Sequence, residues 1–423
     1  MVTSVIRALR HRNFRLFFVG QGISLIGTWM QSVAMPWLVY RLTGSVVLLG
    51  VVGFTSQILT FVVAPVAGVL ADRWDKRRLV IACQMLAMVQ ALALAALTLS
   101  GLVEVWHVVA LSFLTGFVRG FEVPTRQSFV IEMLDDRADL PNAIALNSFL
   151  VNGARLIGPS LAGVLVVLVG EGWCFLANGL SYVAVIVALA AMRVAVRRMP
   201  PPTTNVFGGL KEGVAYAFRT PALRSILLLL GIVSLMGVPY QTLMPVFAKE
   251  VLSGGPDTFG YMVGATGVGA LSGAVFLASR KNIRGLGRVI VLAATCFGTG
   301  LVAFGLSRSF WLDLVVLAWA GAAMMLQMAS SNTLLQTIAE EDKRGRVMSF
   351  YTMMFMGMVP FGALASGWMA NHLGAPQTVV IGGALCIAGT AILGWRLPAL
   401  TEAFHPEVTV PGAAGFQQEG VAQ

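Results

Sequence analysis

The chain has 423 residues, 57% of them apolar and only 11% charged, with a mean hydropathy of +0.81. Soluble domains carry roughly a quarter charged residues, and a globule of this length could not hide so much apolar surface from water. Lipid is therefore the solvent for most of the chain, which excludes a disordered chain, a disulfide scaffold and a soluble nucleic-acid binder despite the net charge of +10.

A bilayer core takes about 20 apolar residues per helix. Cutting the chain at its charged and turn-rich breaks predicts twelve such helices, at 15–40, 46–71, 79–100, 106–130, 142–169, 173–195, 223–248, 257–278, 286–306, 311–338, 346–371 and 376–396. The runs are long and continuous, unlike the short alternating strands of a barrel. The first run follows Arg7, Arg10, Arg12 and Arg15 and lacks a small-residue cleavage site, so it is expected to stay as a helix. Later breaks are punctuated by Gly101 with Glu104, by Gly170-Glu171-Gly172, by Gly254-Gly255-Pro256-Asp257 and by Gly374-Ala375-Pro376. Between the sixth and seventh runs, residues 196–222 hold Arg197, Arg198, the prolines from Pro200 to Pro202 and an amphipathic stretch near Lys211–Phe218. The expected organisation is a six-helix bundle over 1–195, a cytoplasmic linker over 196–222, a second six-helix bundle over 223–396 and a disordered tail over 397–423.

With the N-terminus in the cytoplasm, only Arg41, Lys249 and Arg308 are basic residues in loops on the opposite face. Arg119, Arg126 and Arg155 lie within spans, and the other lysines and arginines share one face. That asymmetry places both termini in the cytoplasm. Cys83, Cys174, Cys296 and Cys386 each sit alone in apolar runs and read as small buried hydrophobes.

The two halves echo each other. Gly153, Gly158 and Gly163 recur 204 residues later as Gly357, Gly362 and Gly367. At an offset of 205, Gly116 maps to Gly321, Gln127-Ser128 to Asn332-Thr333 and Asp135-Asp136 to Glu340-Glu341. Parallel six-helix repeats are an architecture of secondary transporters, with the substrate site between halves near the midplane; ordinary small-residue helix packing is the alternative source of such glycines.

The stretch Gly68-Val69-Leu70-Ala71-Asp72-Arg73-Trp74-Asp75-Lys76-Arg77-Arg78 resembles the signature loop of the major facilitator superfamily, with Asp75 where that pattern usually has glycine. An acid at the C-terminal end of a helix opposes the helix dipole, so Asp72 needs a compensating partner. The resemblance implies a latch of Gly68, Asp72, Arg73 and Arg77 against the start of the eleventh helix in the outward-facing state; the basic residues also anchor topology. Ala154-Arg155-Leu156-Ile157-Gly158-Pro159-Ser160-Leu161-Ala162-Gly163 resembles the helix-5 motif of drug–proton antiporters in that superfamily, with Ala154 and Ala162 replacing two glycines. Pro159 removes a backbone donor and bends the helix, while Gly158 and Gly163 permit close approach. Asn13-Phe14-Arg15-Leu16, Gly27-Thr28-Trp29-Met30-Gln31, Pro124-Thr125-Arg126-Gln127 and Leu140-Pro141-Asn142-Ala143-Ile144-Ala145-Leu146-Asn147-Ser148 are similar to the enterobactin-exporter-like branch, which includes siderophore and macrolide or multidrug effluxers. The likeness is densest over 13–163, and the loop from Gly273 to Lys281 lacks the signature aspartate.

The resemblance implies an all-α membrane protein of twelve transmembrane helices in two six-helix pseudo-repeats. It further implies a proton-coupled exporter of a small amphipathic solute, working by alternating access in a bacterial-type cytoplasmic membrane. The expected partners are a small-molecule substrate, protons and the lipid bilayer. Neither nucleic acid nor cofactor nor metal is expected, and one chain is expected to function as a monomer. An importer or facilitator with the same fold is the alternative, because direction rests on the helix-5 motif and the branch resemblance.

Charges at membrane depth usually face a cavity or each other. Arg119, Glu122 and Arg126 fall within a roughly 60° arc of the fourth helix at 100° per residue. Glu122 can pair with Arg119 or Arg126; it is either the proton-coupling carboxylate, with Arg119 answering to substrate, or half of a permanent ion pair. Arg155 either leaves the cavity cationic or bonds carbonyls near Pro159. Gln31, Asn152, Tyr240, Gln241, Gln327 and Asn332 are candidates for the pathway, which by resemblance is lined by helices 1, 4, 7 and 10; each is otherwise a helix–helix hydrogen bond. Met324, Met325, Met328, Met353, Met354, Met356 and Met358 offer an adaptable apolar surface or simple core packing. An enzyme is not expected. His11 and His405 lie in the tails, His107 and His372 near the outer face, and neither a zinc-protease motif nor a phosphate-binding G-x-x-x-x-G-K-[ST] occurs. The series Gly264, Gly267, Gly269 and Gly273 lies inside a helix and follows no strand, so it is no dinucleotide site.

Overall fold

The computed structural model describes residues 7–71, 74–193, 216–279, 285–340, 343–394 and 397. Twelve long helical segments run in chain order: α1 (Arg12–Thr43), α2 (Val46–Ala71), α3 (Lys76–Leu99), α4 (Val105–Phe129), α5 (Leu140–Val169), α6 (Glu171–Ala190), α7 (Pro221–Val251), α8 (Pro256–Ser279), α9 (Leu286–Leu306), α10 (Phe310–Ile338), α11 (Arg344–Leu373) and α12 (Ala375–Gly394). No strand occurs among the described residues. The linker stretch is described only from Tyr216, whose first residues are already helical, and the tail expected to be disordered lies outside the described residues except for Leu397.

Eleven of these helices are long and apolar enough to cross a membrane. The other is α1, whose 32 residues give ample length but include buried Gln21, Ser24 and Gln31. Those polar groups are buried among the other helices, while Val19 and Ile23 of α1 are exposed.

Helices end where the sequence punctuates them. Gly170 (φ 91°) and Gly374 (φ 87°) stand between the fifth and sixth helices of the two halves, in a left-handed backbone that only glycine adopts freely. Asp75, the departure from the signature loop, accepts a hydrogen bond from the Arg78 amide at 3.0 Å and caps α3. The second half is less regular. In α7, Pro239 and Pro245 accompany two π-helical turns at 233–237 and 247–251, and α11 breaks at Gly357. Proline removes a backbone donor, and the turns around it widen to find other partners.

The repeat is visible in what touches what. A Cβ on Gly158 would lie 2.9 Å from the Ile26 carbonyl of α1; one on Gly362 would lie 2.2 Å from the Leu235 carbonyl of α7. Gly116 meets the Ser56 carbonyl of α2 at 2.9 Å on the same measure, and Gly321 the Thr266 carbonyl of α8 at 2.2 Å. Gly153 and Gly357 break the pattern, the former with open space around it and the latter against Phe61. The α3–α6 and α9–α12 pairs correspond in the same way, as do α5–α8 and α11–α2, which join the two sets of six helices.

Candidate functional site

Call the end that carries Arg7 and the start of α1 the near end, and the opposite end the far end. Among the described residues, contacts between the two sets of six helices gather from the far end to mid-depth. On one side a Cβ on Gly260 would lie 2.8 Å from the Pro159 carbonyl and 2.9 Å from Gly163 Cα; deeper, one on Gly267 would lie 3.3 Å from the Arg155 carbonyl. On the other, a Cβ on Gly367 would lie 3.0 Å from Gly50 Cα, and Phe54 meets Phe361 edge-on at 5.9 Å. Gly357 against Phe61 marks mid-depth. At the far mouth the Tyr40 hydroxyl donates to Glu250, Lys249 lies 5.4 Å from the Tyr40 ring centroid, and Trp37 stacks on Phe259 at 6.3 Å. These interlocking surfaces hold the two sets together at the far end.

The charged face of α4 lies toward the near end. Glu122 pairs with Arg126, Oε1 to Nε at 2.6 Å, with the two side chains 14% and 11% exposed. The i+4 geometry wins over i−3, and Arg119 is left exposed. Gly116 and Gly120 hold the adjoining face of α4 against α2, which is why the acid and its cation share the remaining stripe.

On α5, the Arg155 guanidinium sits 5.5 Å from the Trp29 ring centroid, a cation–π contact with α1 directly beside the Gly158 crossing. Gly158 seats α5 on α1, and Gly163 seats it on α8, so this short motif couples one helix of its own set to one of the other. Pro159 is absorbed without breaking α5.

Of the expected latch, Asp72 and Arg73 lie outside the described residues, and for Gly68 only the backbone in α2 is described. Arg77 donates to the carbonyls of Leu189, at 2.7 Å, and Ala190, capping the C-terminal end of α6. Lys76 pairs with Glu132 at 2.8 Å.

The polar pathway candidates do not converge. Gln31 donates to Gln90 at 3.1 Å and accepts from Asn178 at 2.7 Å, knotting α1, α3 and α6 inside the first set. Asn152 donates to the Ser148 carbonyl of its own helix. Tyr240 packs its ring edge-on against Phe297 and Phe304 of α9, while Gln241 is half-buried. Gln327 is buried, and Asn332 accepts from Gln336 at 2.6 Å. Among the methionines Met324 is buried and Met356 exposed. Sequence reasoning missed Tyr40 and Glu250, which are 210 residues apart. Neither carries a local pattern that points to the other.

The sequence profile described as transmembrane secretion effector matches residues 3–414. The staphyloferrin A transporter of Staphylococcus aureus is 24% identical over 379 residues, covering 89% of this chain and 94% of that protein. The enterobactin exporter of Shigella boydii is 24% identical over 387 residues, covering 91% and 90%. A POT family transporter crystallised with 5-aminolevulinic acid has the same fold, with a TM-score of 0.74 at 12% identity over 92% of this chain and 97% of that one.

Proposed function

Because the chain belongs to the transmembrane secretion effector family of the major facilitator superfamily, and is therefore a multi-pass membrane transporter and not an enzyme, we propose that it exports a small amphipathic solute of siderophore or drug-like type. The proposed route leads out of the cytoplasm across the cytoplasmic membrane, with both termini inside and protons as the driving ion. The bundles of residues 1–195 and 223–396 act as two bodies that tilt about their shared interface, within a single functional chain.

One observation carries this reading. Among the described residues, the glycine-lined contacts between the two sets of helices run from the far end to mid-depth, and the charged stripe of α4 lies toward the near end. A transporter loading from the near side needs this state: far mouth shut, titratable face toward the compartment of departure. Closed packing is bistable and not continuously deformable, so the opposite state follows from tilting, with Gly68, Asp72, Arg73 and Arg77 re-engaging across the near end. Glu122 is the coupling carboxylate. Its protonation releases Arg126, and Arg119, with Arg155 deeper in, gives the route a cationic lining suited to carboxylate or catecholate groups. Asn152, Gln241 and Asn332 are assigned to separate points along the pathway, and the buried Gln31, Tyr240 and Gln327 to the frame that supports it.

The experiment is accumulation of siderophores and amphipathic drugs in cells with and without the gene, each with and without a protonophore. Lower accumulation that the protonophore abolishes is expected. In proteoliposomes, Glu122→Gln is expected to lose pH-driven efflux, and full pH-driven efflux by that variant would remove Glu122 from the coupling role.

A further inference from the structure

At the near end, outside the membrane-spanning segments, His11 is only 5% exposed and both of its ring nitrogens face carboxylates. Nδ1 lies 3.0 Å from Asp135 Oδ2, and Nε2 lies 2.8 Å from Asp139 Oδ2. Arg7 and Arg10, in the turn before His11, both pair with Asp139, and Arg10 also lies 3.8 Å from Asp136. The Ala8 amide donates to Asn142 at the start of α5 at 2.8 Å. Residues 7–11 are thereby clasped to the loop between α4 and α5.

A neutral imidazole has one N–H and can donate to one carboxylate; an imidazolium donates to both. The clasp also contains a second arrangement. The Asp135 amide lies 3.2 Å from Nδ1, so a neutral ring protonated on Nε2 would keep Asp139, accept from that amide and release the Asp135 carboxylate, which is already 82% exposed. The second half holds the counterpart. At the offset of 205, His11 corresponds to Tyr216 and Asp135 to Glu340, and the Glu340 amide donates to the Tyr216 hydroxyl at 3.3 Å. Lys343 covers the Tyr216 ring at 4.6 Å and pairs with Glu340 at 2.6 Å. In both halves the backbone amide of the acidic residue donates to the side chain at this position, but in the second half that side chain is a phenol and not an imidazole.

We propose that the His11 clasp is a proton-operated fastener on the near end of the first six helices, matched in the second six by a fastener built on a phenol in place of the imidazole. Protonated His11 ties α1 to the α4–α5 loop through two carboxylates, and deprotonation releases one of them. The clasp holds the elements on which both α4 and α5 are hung, so it sets how stiffly the first bundle moves as a body. Burial works against charging of the ring, and the bonds to Asp135 and Asp139 outweigh it, raising the His11 pKa above its usual value. Asp139 is held below the usual carboxylate range by the His11 bond, with Arg10 and Arg7 beside it, against the opposing effect of burial. A raised pKa in the docked state means that the added docking is fully present below the ordinary histidine value of about 6.5. It is lost as pH climbs through the raised value.

Hydrogen exchange on the full chain in nanodiscs, corrected for chemical exchange rates, tests this without any substrate, and so independently of the direction of transport. Amides of residues 7–11 and 133–139 are expected to lose protection as the pH rises from about 6 to about 9, because the docking added by the charged ring is lost as His11 deprotonates. His11→Tyr, which borrows the counterpart's side chain, is expected to give a flat profile, with amides 216–220 and 339–340 serving as the flat internal reference. Asp135→Asn is expected to move the midpoint down toward the ordinary histidine value. A wild-type profile as flat as the reference, a pH profile unchanged by His11→Tyr, or a midpoint unmoved by Asp135→Asn would each overturn the proposal.

Discussion

A carboxylate and a guanidinium 2.6 Å apart, with 14% and 11% of their side chains exposed, stabilise each other chiefly by avoiding the cost of either charge alone. Removing one partner of a buried pair costs about 3–5 kcal/mol, whereas neutralising both is close to neutral. Arg126→Ala is therefore expected to lower the unfolding temperature in detergent, followed by tryptophan fluorescence. Combining it with Glu122→Gln should recover most of the loss. Equal and additive losses in the two single variants would show that the pair is not coupled. Asp75 belongs to the same scale, since its side chain caps α3. Asp75→Ala should cost about 1 kcal/mol with no effect on solute selectivity, and Asp75→Asn much less. That residue was legible in the sequence only as a departure from a pattern; the cap it supplies depends on backbone that turns at that point.

At the scale of helices, the small residues decide. A Cβ on Gly260 would press on the Pro159 carbonyl at 2.8 Å and Gly163 Cα at 2.9 Å, both backbone atoms that cannot rotate away. Gly153 has nothing within 4 Å. Overpacking costs about 1–3 kcal/mol, a factor of roughly 5 to 150 in an equilibrium between two arrangements. Gly260→Val should consequently favour the state with α5 and α8 parted at the far end. Impermeant thiol labelling of a cysteine placed at Ser160 should rise in that variant, and Gly153→Val should leave it unchanged. Equal labelling in both would mean that α5 and α8 part as easily with the larger side chain. The repeat of glycines was legible from spacing alone, but which helix each one meets was not, because a helix of glycine-spaced small residues fits many partners equally well.

For the whole molecule, the Tyr40–Glu250 contact and the Trp37–Phe259 stack close the far mouth across 210 and more residues of chain. Tyr40→Phe with Glu250→Gln removes the hydrogen bond while keeping shape. Spin labels placed on the far-end turns at Gly44 and Gly254 should then show a larger fraction of the long-distance population than in the unaltered protein. A distance distribution identical to that of the unaltered chain would mean that the apolar stack alone holds the mouth shut. These side chains act together with the glycine contacts between the two sets, and a ligand or substitution that favours one arrangement over the other shifts the balance by its differential energy.

Hydrophobic runs, their breaks and the offset of 204 to 205 residues were enough to determine a twelve-helix membrane protein with two related halves, because lipid forces the backbone to satisfy itself within each helix and leaves length and polarity as the signal. The pairing of Glu122 with Arg126 was already one of two local options, since a helix places i+4 neighbours side by side. Tertiary structure alone decided that Gln31 serves the frame of the first bundle, that Arg155 rests on Trp29, that Tyr40 reaches Glu250 and that His11 sits between two aspartates. Each of those contacts joins segments distant in sequence, and packing in three dimensions selects among partners that are chemically alike along the chain.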